Sequence, residues 1–215
     1  MDRLRRQLAF VAEAGRLRSV LRQTMLTKPA RRENSAEHSW HLTVMAIALA
    51  EYAPSGTDLP RVIAMLALHD LVEVDAGDLS AYADEADQAR QRAAELAAAE
   101  RIFGLLPPDQ AGSLRQLWDD FEERGSPEAR FARAIDRLQP MLENVKVGGG
   151  TWRERGVTAD QVLAKVALIE DGSAELGRYA RAMVGQAVRD GILAPASEED
   201  ELDRRDHADQ HHEDA

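Results

Sequence analysis

The run Val62-Ile63-Ala64-Met65-Leu66-Ala67-Leu68 passes without a break into His69-Asp70. It follows Asp58-Leu59-Pro60, a capping residue with proline in the first turn, and so predicts a buried helix ending around Leu71. The last turn of that helix carries an imidazole and a carboxylate into the interior, where both are costly unless something pairs with them. A bound cation is the simplest such partner. The chain must then fold so that further ligands converge on the end of this helix.

The rest of the sequence predicts helices throughout. Apolar spacing at Leu4, Leu8, Val11, Leu17, Val20 and Leu21 predicts a helix over about Arg3–Gln23, followed by a polar, proline-containing loop from Thr27 to Asn34. Ser35 is the expected cap of a helix over about 36–52 that stops near Pro54-Ser55-Gly56. Further helices are expected over about Asp84–Phe103 and Asp109–Glu123. Another opens at Ser126-Pro127-Glu128 and carries Asp136, with Gly148-Gly149-Gly150 as a break after it. Thr158 caps one long final helix, about Ala159–Asp190. No segment alternates with period two, so no sheet is expected and the fold class is all-α.

Six histidines are present. His207, His211 and His212 lie in the segment 196–215, which is poor in apolar residues and expected to be a disordered acidic tail behind a single domain over 1–195. His38 begins one predicted helix and His69 ends the next, so an antiparallel helical hairpin brings them together. His41 lies one turn beyond His38. Asp136 interrupts the otherwise buried-looking helix after Phe131-Ala132-Arg133-Ala134-Ile135. There is no cysteine, which removes thiolate metal sites and a cysteine nucleophile. A His-His-Asp-Asp set suits Mn²⁺, Co²⁺, Mg²⁺, Fe²⁺ or Zn²⁺ and leaves positions open for water and substrate. A lone histidine on an apolar helix is also an ordinary core residue. What favours a metal site is the adjacency of His69 and Asp70 together with two further candidates.

The net charge of −11 is mostly in the tail: nine acidic against two basic residues from Ser197 onward give −7, leaving −4 for the body. With no basic stripe, duplex nucleic acid is not an expected partner. The N-terminal residues lack a secretory apolar region, and no uninterrupted apolar stretch approaches the ~18 residues of a membrane span. A soluble, cytoplasmic chain is expected.

Taken together, His38, His69-Asp70 and Asp136 resemble the H…HD…D signature of the HD-domain metal-dependent phosphohydrolases. Arg32-Glu33-Asn34-Ser35-Ala36-Glu37-His38-Ser39 is similar to the entry segment of the branch containing the bacterial 5′-deoxynucleotidases and their eukaryotic HD-domain relatives. So are His69-Asp70-Leu71-Val72-Glu73 with Gly77-Asp78-Leu79, the segment Trp118-Asp119-Asp120-Phe121-Glu122, and Ala134-Ile135-Asp136-Arg137-Leu138. The resemblance covers roughly Gly15 to Glu143. It implies an HD-domain helical bundle, to which the long C-terminal helix would be an addition, and one divalent cation per subunit held by His38, His69, Asp70 and Asp136. It implies a catalytic role for Glu73 in proton transfer and for Asp78 in orienting water or contacting a sugar. Read without it, Glu73 also suits a partner that orients a ligand histidine, and Asp78 a plain helix cap. The family places a phosphate-contacting arginine near the end of the first helix; Arg22 matches best and Arg18 is the alternative, while Gln23 stands where relatives carry tryptophan. The implied substrate is a small phosphorylated molecule, a nucleoside 5′-monophosphate first, and the implied assembly a homodimer. The apolar positions Val162, Val166, Leu168, Ile169 and Leu176 would pack on the core or on a partner. No histidine lies between Asp70 and Asp136, which speaks against the dinuclear HD enzymes. The competing readings are a nucleotide-binding or regulatory HD module with a structural metal, and a guanosine tetraphosphate hydrolase.

Overall fold

In the computed structural model, residues 1–28 and 30–196 are described; the acidic tail from 197 onward lies outside them. Helix α1 spans Asp2–Ala14, and the chain then tightens into a 3₁₀ turn over Gly15–Ser19. The helix expected to reach Gln23 therefore stops nine residues early. Strand β1 (Leu21–Leu26) follows and pairs antiparallel with β2 (Arg31–Asn34), an irregular hairpin where no sheet was expected. Its sequence offers no alternation because only Thr24 and Glu33 are buried along it. Tertiary contacts hold it instead: Ser35 N donates to Val20 O at 3.0 Å, Arg32 Nη1 donates to Gln23 O, and Gln139 Nε2 donates to Glu33 Oε1 at 2.9 Å.

Helix α2 (Ser35–Ala48) starts one residue earlier than its expected cap implies. Asn34 is the cap: Glu37 N donates to Asn34 Oδ1 at 3.0 Å and Asn34 N to Glu37 Oε1 at 2.7 Å, a reciprocal capping box. Ser35 is thereby freed to point inward. Helix α3 (Leu59–Leu68) is capped by Asp58 and runs antiparallel to α2 as a hairpin; it passes into a 3₁₀ turn over His69–Val72 and the single-turn helix α4 (Glu73–Ala76). Gly77, at φ 73°, makes the left-handed turn that closes α4, a conformation favouring glycine. Helices α5 (Glu85–Phe103), α6 (Pro108–Glu123) and α7 (Pro127–Lys146) follow close to their expected bounds.

After the short α8 (Gly150–Glu154), the expected single long helix is two, α9 (Ala159–Gly172) and α10 (Ala174–Arg189). The cause is a close approach. Gly172 lies against the α7 backbone so tightly that a Cβ there would sit 2.2 Å from Arg130 O. Ser173 is then extended, and its Oγ accepts from Leu176 N at 3.3 Å to start α10. Gly172→Ala is accordingly expected to destabilise the protein by about 1–3 kcal/mol through overpacking. A thermal midpoint lower by about 3–10 °C checks it. Gly112, inside α6, is the control, because a methyl group added there would meet nothing within 4 Å: Gly112→Ala should raise the midpoint.

The all-α class holds apart from the hairpin. One apolar core lies among α2, α3, α7, α9 and α10, and a second joins α1, α5 and α6 to Leu71 and Val72. Val162, Val166, Ile169 and Leu176 are buried in the first core, so these positions pack on the chain itself and not on a partner. No helix among the described residues is long and apolar enough to cross a membrane. The turn that carries His69 and Asp70 joins the two cores: Trp118 Nε1 donates to His69 O at 3.1 Å, and the His69 ring lies 5.0 Å from that of Phe121.

Candidate metal centre

Three helical segments deliver the ligand-type side chains. His38, on the second turn of α2, is completely buried. Its Nε2 lies 3.2 Å from Asp136 Oδ1 on α7 and 4.0 Å from Asp70 Oδ2. His69 Nδ1 is 2.9 Å from Leu66 O, which suits a proton on Nδ1 and turns Nε2 towards the carboxylates. That Nε2 lies 2.9 Å from Asp70 Oδ1 and 3.6 Å from Asp136 Oδ1. One ligand atom each from His38, His69 and Asp136 lie mutually within 4.8 Å. Asp70 adjoins this group, its other oxygen accepting from Arg22 Nη1 at 2.6 Å.

These residues fit a cation. His69 Nε2 is buried and has no hydrogen-bond partner of acceptable geometry despite the nearby carboxylates. Buried imidazole nitrogens are ordinarily satisfied, and an orphan facing two carboxylates is the arrangement that a shared ion completes. The donors, imidazole and carboxylate only, are those that divalent first-row metals and Mg²⁺ accept. His41 stays outside: its Nδ1 is 3.4 Å from Gln139 Nε2, which in turn serves Glu33.

Burial opposes charge throughout the cluster, and neighbours decide each outcome. It is offset at Asp70 by the charges of His69 and Arg22, which hold that carboxyl low. It is likewise overcome at Asp136, held well below the usual range by Arg137 and the two histidines. The carboxylates Asp70 and Asp136 overcome it at His69, whose imidazole is pushed up to about 10. Glu73 behaves oppositely. Its burial, reinforced by Asp70, raises its pKa well above the ordinary value, although Ser35 Oγ donates to Glu73 Oε2 at 2.5 Å. Asp78 is raised too, by burial first; its Oδ2 accepts from Gln23 N at 2.8 Å.

The raised His69 pKa has a definite sign. In the metal-free protein its stabilising contribution is complete below the unfolded value near 6.5 and is lost as pH rises through about 10. A cation must displace that proton. Metal uptake at pH 7.5 is therefore expected to release about one proton per chain. Calorimetric titration in buffers of different protonation enthalpy measures it, and a heat independent of buffer contradicts it.

Arg22 lies beside this cluster, its side chain 11% exposed. Its Nη1 is also 3.7 Å from Glu73 Oε1 and 3.8 Å from Asp78 Oδ1, and its Nε is 3.5 Å from Glu33 Oε2. Arg18, the alternative, is exposed and donates to Gly15 O at 2.9 Å, away from the site. A cavity of about 350 Å³ opens on the cluster, lined by Arg22, His69, Asp70, Glu73, Asp78 and Asp136. The same cavity is lined by Arg133, Arg137 and Lys165, which sequence reasoning passed over. Arg133 and Arg137 flank Asp136 beside the apolar residues Phe131, Ala132, Ala134 and Ile135, the one signal that pointed to them. Glu33 was missed as well: it is buried, and its Oε2 lies 3.3 Å from His38 Nδ1 without a hydrogen bond of acceptable geometry.

A helical fold with this buried cluster defines the class. A family model described as HD domain matches residues 14–176, and the chain belongs to the HD-domain family. A solved structure from Magnetospirillum magnetotacticum MS-1, described as a predicted metal-dependent phosphohydrolase, is 52% identical and covers 90% of this chain and 97% of that one, with a TM-score of 0.86. Among curated proteins, the 5′-deoxynucleotidase HDDC2 of Homo sapiens is 28% identical over 137 residues, 63% of this chain, and the match spans 65% of that relative's length. A conserved hypothetical protein from Pyrococcus furiosus, 18% identical, covers 85% of this chain and 99% of that one with a TM-score of 0.58, and shares the fold.

Proposed function

We propose that the chain is a phosphomonoesterase that requires one divalent cation and hydrolyses small phosphorylated substrates, nucleoside 5′-monophosphates first among them. The observation that carries this reading is the buried His38–His69–Asp70–Asp136 cluster with the high-pKa Glu73 beside it, all but His38 lining one cavity. The names borne by the Magnetospirillum and human relatives support it.

His38, His69, Asp70 and Asp136 would hold the cation, with Mn²⁺, Co²⁺, Mg²⁺, Fe²⁺ and Zn²⁺ all compatible. When bound it supplies Lewis acidity towards a phosphoryl oxygen and acidifies water. Glu73, its carboxyl pKa raised by burial, moves the proton: as carboxylate it accepts one from attacking water, and as acid it returns one to the leaving oxygen. Arg22 supplies positive charge to the phosphate, and Asp78 orients water or a sugar hydroxyl. Gln23 has no aromatic ring for a base to stack on, and its Oε1 accepts from Arg155 Nη2 at 3.1 Å. A structural metal alone leaves Glu73 without a task. We also favour a homodimer, supported by the exposed apolar stripe Trp40, Val44 and Ile47 along α2.

The test is phosphate release from a panel of nucleoside monophosphates and sugar phosphates, with Mn²⁺, Co²⁺ or Mg²⁺ and with EDTA. Release that EDTA stops and one of the metals restores is expected. No turnover of any substrate with any metal contradicts the proposal.

A further inference from the structure

Among the described residues, two cations in the cavity donate no side-chain hydrogen bond. Arg137 follows Asp136 on α7; its Nε is 3.7 Å from Asp136 Oδ2, is buried and has no hydrogen-bond partner. Lys165 faces the same cavity from α9, half-buried, and the only lysine salt bridge among the described residues is Lys146–Glu143. The other cavity cations are engaged. Arg92 and Arg133 both pair with Glu122, at 2.9 and 3.1 Å, and Arg22 pairs with Asp70 at 2.6 Å.

Arg137 and Lys165 line both the 350 Å³ cavity and a neighbouring one of about 90 Å³, so they stand where the two meet, beside Asp136. Position groups the pair with Arg22, which also lines both cavities. Burial lowers the pKa of each, and Arg137 lowers that of Lys165 further. Two partly buried cations that repel one another, whose acidic neighbours are already engaged, Asp136 by the histidines and Glu122 by Arg92 and Arg133, are costly unless an anion joins them. A phosphomonoester is a dianion at neutral pH. An arginine fork with a lysine point charge suits its oxygens.

We propose that Arg137 and Lys165 form the subsite that binds the non-bridging oxygens of the substrate's phosphoryl group, in addition to Arg22. The inference rests on the phosphomonoesterase reading above and adds two residues to it. Lys165 is the cleaner test, because α9 packs through Val162, Val166 and Ile169 and its core contacts survive substitution.

The experiment is calorimetric binding of inorganic phosphate to the Mn²⁺-loaded protein, with KM and kcat for a nucleoside monophosphate measured alongside. Lys165→Gln and Arg137→Gln should each weaken phosphate binding about tenfold or more and raise KM correspondingly. Lys165→Gln should leave Mn²⁺ affinity within about twofold, and Lys165→Arg should recover most of the phosphate affinity. Wild-type phosphate affinity in both glutamine variants overturns the subsite. Failure of the two proposals is distinguishable: turnover with unaltered phosphate binding in the variants sinks the subsite alone. A wild-type protein that binds phosphate through Lys165 yet turns over no substrate sinks the phosphomonoesterase reading alone.

Discussion

Asp70→Ala is expected to abolish cation binding and to lower phosphate release by at least about a thousandfold. Asp70 stands 2.9 Å from His69 Nε2 and 4.0 Å from His38 Nε2, where it would add an oxygen to the ligand group and the charge that a dication needs. Metal-ion stabilisation of phosphoryl-transfer charge is worth several kcal/mol, and each 1.36 kcal/mol is a factor of about ten. The variant should remain folded. Removing Asp70 deprives Arg22 of its closest partner, but Glu73 and Asp78 stay within 3.7 and 3.8 Å of the guanidinium. It also relieves repulsion in a cluster that packs Asp70, Glu73, Asp78 and Asp136 around one cavity. Metal content of the purified variant, circular dichroism and phosphate release check the three parts. Wild-type activity in Asp70→Ala would falsify the metal assignment.

Glu73→Gln should reduce kcat by about a hundred- to ten-thousandfold, the usual span for losing a general acid–base group, while cation affinity changes little. The two roles open to Glu73 from the sequence were proton transfer and orientation of a ligand histidine. Its contacts favour proton transfer: His69 Nδ1 faces the Leu66 carbonyl at 2.9 Å, and His38 Nδ1 lies 3.3 Å from Glu33 Oε2. Glu73 contacts neither ring by hydrogen bond or ion pair; its partners are Ser35 and Arg22. Glutamine preserves the shape and can still accept from Ser35, so folding should be intact. The expected signature is a lower kcat with the limb of the pH profile belonging to a raised carboxyl removed. A variant that loses its metal and keeps the shape of the pH profile would instead make Glu73 a positioning residue.

The candidate metal cluster was legible because its members are polar residues set against apolar helical runs. His69-Asp70 ends α3 and Asp136 interrupts α7; His38 follows from hairpin geometry. The two arginine candidates were not separable in sequence. On one continuous helix, positions 18 and 22 share a face. The chain instead leaves α-helical geometry for a 3₁₀ turn at Gly15 and enters β1 at Leu21, which turns Arg22 into the site and leaves Arg18 in solvent. The hairpin itself was hidden because its stability comes from Glu33 and Gln139 meeting far along the chain, a contact that local propensity does not carry. The break at Ser173 was hidden for a related reason: apolar spacing continues across it, and only the Arg130 backbone reveals why residue 172 must lack a side chain. Arg133, Arg137 and Lys165 become site residues only through the cavity that they line together.

The most direct measurement titrates metal-stripped protein with Mn²⁺ while following bound metal and phosphate release from a nucleoside monophosphate together. The account predicts no release without metal, and activity that rises in proportion to occupancy and saturates at one Mn²⁺ per chain. Release that persists in the stripped protein, or that begins only after a first equivalent has bound, would contradict it.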